Sequence, residues 1–215
     1  MTESATGLIL RVRPLTETSL IIHWLTPGLG RMATVAKGAR RPKSPFLGKL
    51  DLFYLADFSF SRSRRSELHA LREVNLRATH GAIRQDIFKL RHAAYATAFI
   101  EQATETETPL PTVYELLLGF LDHLDRTKAA AQTLFALEFK LLHELGLEPN
   151  LAETRLTPGT KKIAGVLAQG DWSTMDRLKL TDAQEVELKL FLHGFLIAHL
   201  GRLPKGREAA IHDNI

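Results

Sequence analysis

The chain has 215 residues and a mass of 24.1 kDa, a length open to one large domain or two small ones. Hydrophobic residues make up 45% and charged residues 24%, enough apolar material to bury a core and too much for a mainly disordered chain. The net charge is +4 and cysteine is absent, which excludes disulfide frameworks, cysteine-ligated metal sites and cysteine nucleophiles and suits the cytosol.

The first 80 residues read as strands. Apolar or β-branched runs at 7–12, 19–26, 31–36, 50–60 and 68–76 are separated by turn formers: Pro14, the run Pro27-Gly28-Leu29-Gly30, a loop over 38–48, and a polar tip over 61–66. Five short strands without a long helix between them predict a small β-barrel. An OB-fold fits, and an SH3-like barrel has a similar strand count. Glu3 and the break at Arg11 leave no export signal in the opening residues, and no apolar run approaches the roughly 18 residues that cross a bilayer, so a soluble protein is expected.

After Gly81 the apolar period becomes 3.6. Ile83, Ile87, Leu90, Ala94 and Ala98 mark one helix; a second starts at Pro111; a third runs over about 128–145 and stops at Gly146. A last long helix begins at Thr181 or Asp182, where Asp182 and Glu185 form a capping-box variant. The weakly patterned stretch between them holds one short helix at about 161–168. The expected class is therefore α+β, with a barrel domain over 1–80 and a helical domain over 81–215.

Charge divides along the same line. Residues 1–80 hold 13 Lys and Arg against 6 Asp and Glu, whereas residues 81–215 hold 15 against 18. Between Arg31 and Lys49 lie Lys37, Arg40, Arg41 and Lys43 with no acid among them, and Arg62, Arg64 and Arg65 follow. One-signed segments of this kind attract polyanions, nucleic acid first. With Pro42 and Pro45 holding the loop extended, its cations would track a phosphate backbone without reading bases. Trp24 and Phe46 are candidates for base stacking, while Tyr54, Phe58 and Phe60 share one strand face and are expected to fill the core. On the helical domain, Arg126, Lys128 and Lys140 are candidate cations for a partner's carboxylate-ended tail.

Enzyme motifs fail on context. Gly28-Leu29-Gly30-Arg31-Met32-Ala33 matches G-x-G-x-x-A, but no helix can follow before Gly38 and Pro42. His143-Glu144 lacks a second histidine at Leu147, and Gly48-Lys49 lacks the first glycine and the Ser/Thr of a P-loop. The nine histidines are scattered. No catalytic or metal site is expected, and no cofactor.

The run from Gly30 to Leu50, GRMATVAKGARRPKSPFLGKL, together with the upstream Arg13-Pro14-Leu15-Thr16-Glu17-Thr18-Ser19-Leu20, resembles the N-terminal signature of the RecO family of bacterial recombination mediators. The likeness extends more weakly to Leu71-Arg72-Glu73, to 141–149 and to Leu200-Gly201-Arg202-Leu203. It implies an OB-fold followed by a helical domain, binding of single- and double-stranded DNA with Arg13 among the contacting cations, and annealing of complementary strands. It also implies work with the RecR mediator and the C-terminal tail of single-stranded-DNA-binding protein to load recombinase in RecF-type DNA repair. The setting would be the bacterial cytoplasm, at the nucleoid, and the action non-enzymatic. Family members commonly carry a four-cysteine zinc module after the Leu-Glu-Pro segment. This chain has no cysteine, so that module, at about 150–180, is expected to be lost or reduced. Two other readings of the barrel are an RNA-binding or structural adaptor and a metal-dependent nuclease.

Overall fold

Alternation of buried and open side chains sets the first strands of the computed structural model, which describes residues 2–211. Among these residues lie β1 (Thr2–Pro14), β2 (Leu20–Thr26), β3 (Gly30–Ala36), β4 (Leu55–Ser61) and β5 (Leu68–Ala78). They close into a barrel in the order β1-β2-β3-β5-β4, with β4 returning to β1. Every pairing is antiparallel except that of β3 with β5. This ring-like sheet has the form of an OB-fold. In β3 and β4 burial alternates residue by residue, and Met32, Ala36, Ala56, Phe58 and Phe60 meet Ile9, Ile22, Trp24, Leu71 and Val74 in the core. Trp24 stacks on Phe58 with ring centroids 4.1 Å apart, and its indole N–H donates to Thr34 Oγ1 at 2.8 Å, so its one polar atom is satisfied inside the barrel.

Two strand limits differ from the sequence expectation for identifiable reasons. β4 begins at Leu55, not at residue 50, because Phe53 adopts φ 66° and turns the chain there. Phe53 N donates to Ile9 O, and Ile9 N donates to Tyr54 O, so this turn is pinned to β1 while the Phe53 ring is buried. Tyr54 thus precedes the strand, yet packs against the same core as Phe58 and Phe60. β1 starts at Thr2 because Thr2, Glu3 and Ser4 pair with Ser61, Phe60 and Ser59, a backbone interaction that hydropathy does not register.

The described residues gather into two compact units. One joins the residues up to His80 with Thr104–Glu115, a return of the chain that a division at residue 80 leaves out. Gly30 shows why the return is close: at φ +66° its absent Cβ would lie 2.0 Å from Thr108 O. Glu107 N donates to Arg31 O at 2.8 Å beside it.

The second unit joins Gly81–Ala103 with the residues from Leu116 onward. The helices are α1 (Ile87–Ala103), α2 (Pro111–Arg126), α3 (Ala131–Glu144), α4 (Pro158–Gln169), α5 (Trp172–Arg177), α6 (Asp182–Leu200) and α7 (Arg207–Ile211). α3 is buried on nearly every side and packs against α4, α5, α6 and α7. It starts at Ala131 rather than 128, after an extended Ala130 that offers no side-chain cap. The capping box of α6 is Thr181 with Gln184, one residue earlier than the Asp182 and Glu185 pairing, because Thr181 is the residue in the extended conformation. Residues 150–180 form a short 3-10 turn, α4 and α5, capped by Thr157 and Asp171 and held by Ala164, Leu167 and Met175. Among the described residues no helix is long and apolar enough to cross a membrane.

Candidate nucleic-acid interface

Strand register assembles a cationic face on the outside of β1, β2 and β3. Arg11 lies opposite His23, and His23 opposite Ala33; Arg13 lies opposite Ile21, and Ile21 opposite Val35. Arg31 stands two residues before Ala33 on the same side of β3. This proximity shifts the ionisation of the face. Burial pushes the His23 imidazole below its ordinary value, and Arg11, Arg13 and Arg31 push it further the same way. Arg31 is likewise lowered by burial and then by Arg11. Its Nε donates to Thr104 Oγ1 at 2.8 Å and its Nη2 to Thr104 O, so it is half-buried and fixed in place. Arg11 and His23 were not among the residues singled out from sequence. The signal for Arg11 was its i, i+2 spacing from Arg13 on one strand.

At the Ala36 end of β3 this face runs into the basic loop. Gly38, at φ 68°, donates its N–H to Ser19 Oγ, and Arg40 N donates to Thr18 O at 3.0 Å, which ties the loop to the β1–β2 turn. The loop is not extended as its prolines suggest. Successive turns close from Gly38 to Arg41, from Arg41 to Ser44, from Ser44 to Leu47 and from Phe46 to Lys49, because Ala39 and Phe46 are drawn into the barrel core. The apolar anchors point in, so Lys37, Arg40, Arg41 and Lys43 point out, with Lys49 half-exposed. Among the described residues no carboxylate pairs with any of the five. From Arg31 to Lys37 the strand advances about 20 Å at roughly 3.3 Å per residue.

The β4–β5 tip sits at the other end of β3, because Ala33 pairs with Leu68 in parallel. Arg64 and Arg65 are exposed there. Arg62 is different: it donates to both oxygens of Glu3 at 3.0 and 3.2 Å, lies 3.5 Å from Glu107 and sits over the Phe60 ring. Its charge is neutralised locally, which removes it from the free cations. The tip is braced from below. Ser63 N donates to His69 Nδ1, and the buried His69 ring turns its Nε2 to Glu107 at 3.2 Å.

Both stacking candidates are corrected by burial. Trp24 is fully enclosed in the barrel and Phe46 is 7% exposed, so neither ring has a face open to a base. The candidate tail-binding cations do not form one cluster. Arg126 and Lys128 are exposed around the end of α2, whereas α3 carries Lys140 nine residues past its start, about 13 Å at 1.5 Å per residue. Lys140 Nζ donates to Ala168 O and lies 5.8 Å from the Trp172 ring centre, and burial lowers its pKa against the pull of Asp171. Its role in that position is to join α3 to α4 and α5. No group of three or more metal-binding side chains occurs among the described residues.

Comparison with known proteins bears on the same two halves. The family model for the N-terminal domain of recombination protein O matches residues 1–80, and the one for the C-terminal domain matches residues 84–154. Proteins called DNA repair protein RecO are similar over much of the chain. That of Exiguobacterium sibiricum is 32% identical over 151 residues, 70% of this chain and 60% of its own length. That of Bacillus pumilus is 32% identical over 67% of this chain and 56% of its own, and that of Bacillus subtilis 29% identical over the same shares. The alignments thus span a little over half the length of these relatives. With a closed five-stranded barrel under the first match and helices under the second, the chain belongs to the RecO family.

Proposed function

We propose that this chain is a non-enzymatic DNA-binding recombination mediator. It binds single- and double-stranded DNA, anneals complementary strands and helps load recombinase during repair, with the barrel as the nucleic-acid domain and the helical unit as the platform for RecR and for the tail of single-stranded-DNA-binding protein. The observation that carries this reading is the continuity of cations, with Lys37, Arg40, Arg41 and Lys43 exposed and, among the described residues, without a carboxylate partner, beside the Arg11, Arg13 and Arg31 face. The relatives' name, DNA repair protein RecO, supports the choice of DNA.

The chemistry follows from charge and from the burial of both stacking candidates, Trp24 and Phe46. Each cation on the loop replaces counterions at a phosphate, a contact indifferent to base identity. Two strands held this way repel one another less, whatever their sequence, and base pairing then completes the annealing. Neutralising about 4 to 6 phosphates of a single strand gives a slope of log K against log salt of about −3 to −4. The test is annealing of complementary oligonucleotides by the unaltered chain and by a Lys37→Ala, Arg40→Ala, Arg41→Ala, Lys43→Ala variant. We expect the variant to lose about 3 from the slope with its fold retained. Full annealing by the variant, or a slope near zero for the unaltered chain, refutes the proposal.

A further inference from the structure

The cation-bearing side of the barrel also holds a cavity of about 170 Å³. Leu10, the extra residue at the β1 bulge, lines it together with His23, Arg31, Ala33 and Leu68. A phosphate is a poor occupant. Glu67 and Glu107 both line the cavity, and apolar walls would strip an anion of water without replacing its hydrogen bonds.

A flat ring with polar edges suits it better. The volume is on the scale of the roughly 150 Å³ apolar cavity that accommodates benzene, which is room for one six-membered ring and not for a fused pair. Arg31 lines the cavity with a guanidinium held in place by Thr104, and guanidinium planes stack on aromatic rings. His23 is held in its neutral form at pH 7 by burial and by its arginine neighbours, so it offers one donor and one acceptor to a ring edge rather than a charge to a phosphate. Glu107 already accepts from His69 and Arg62, which leaves the Glu67 carboxylate to accept from an N–H group of a base. His23 pairs with Arg11 on one side and Ala33 on the other, so a backbone gripped along Arg11 and Arg13 runs about two strand spacings, roughly 10 Å, from Ala33 on the far wall of the cavity.

We propose that this cavity receives one pyrimidine base of a single DNA strand bound along the β1–β2–β3 face, giving that face a preference for pyrimidine over purine. The proposal rests on the DNA-binding reading above and adds a base-class preference to it. Ala33 is the position at which to test it, because its side chain lines the cavity on the outer side of β3. Binding of oligo(dT) and oligo(dA) of equal length is measured by fluorescence anisotropy across a salt series. The unaltered chain should prefer oligo(dT) about tenfold, the contribution of one well-stacked base. Ala33→Leu, which fills the cavity, should cut that preference to about twofold, the part that comes from the strands' own stacking, and leave the salt slope unchanged. Ala33→Val, a β-branched residue suited to an outward strand position, should fall between and covers the case in which the larger side chain unfolds the barrel. Salt-dependent binding with an oligo(dT) to oligo(dA) ratio that neither variant moves overturns the cavity proposal alone. Binding indifferent to salt overturns the electrostatic reading beneath it, and the cavity with it.

Discussion

Removing Arg207 should unfold the helical unit far more readily than its place near the end of the described chain suggests. Its Nε and Nη2 donate to the two oxygens of Glu138 at 2.6 and 2.9 Å, and the Tyr95 hydroxyl donates to the same carboxylate. Glu138 and Tyr95 are fully buried and Arg207 is 2% exposed, so the cluster ties α7 to α3 and α1 out of reach of water. Arg207→Met leaves a buried carboxylate with a single neutral donor, and breaking such a pair from one side costs about 3–5 kcal/mol. With an m-value of about 2 kcal/mol/M, the urea midpoint followed by circular dichroism should fall by about 2 M. The double variant Glu138→Leu, Arg207→Met removes both charges and leaves only the Tyr95 hydroxyl unpaired, at a cost of about 1–3 kcal/mol, so it should recover part of the loss. A single variant that loses under about 1 kcal/mol, or a double variant no more stable than the single, would show that desolvation of the unpaired charge is not what governs this site.

Gly30→Ala should cost about 2–3 kcal/mol in thermal melting, because it adds left-handed strain to a Cβ placed 2.0 Å from Thr108 O; a neutral result would mean that the 104–108 segment shifts freely. Burial pushes His92 below the ordinary histidine value, against the hydrogen bonds to the Ala130 and Phe88 carbonyls. The unfolded chain therefore takes up the proton first, so the stability His92 contributes is present above about pH 6.5 and is lost as the pH falls towards the folded value. Urea titrations on either side of that pH, with and without His92→Gln, measure the difference. Arg40→Ala should reduce the salt slope of single-strand binding by about 0.7, while Arg62→Ala should leave it unchanged because Glu3 and Glu107 already occupy that guanidinium. Equal effects from the two would contradict the distinction between paired and free cations.

Local rules made much of this architecture readable from residue order. Alternation along 30–36 and 55–61 follows from a pleated strand with one face in a core, and Pro111 at a helix start and Gly146 and Gly201 at helix ends follow from backbone sterics. The basic loop was legible too, since a run of cations without an acid needs no partner to be seen. What local order does not carry is which distant groups meet. The Arg62 charge is cancelled by Glu3 and Glu107, 59 and 45 residues away, and Trp24 and Phe46 turn inward only because the barrel closes around them. Short helices such as α5 and α7 have too few turns to show a period, and the left-handed turn at Phe53 depends on its hydrogen bonds to Ile9. Composition and periodicity therefore suffice for the element types and the sign of the surface. Register, ring closure and desolvation set which cations face a ligand, because each depends on contacts between residues far apart along the chain.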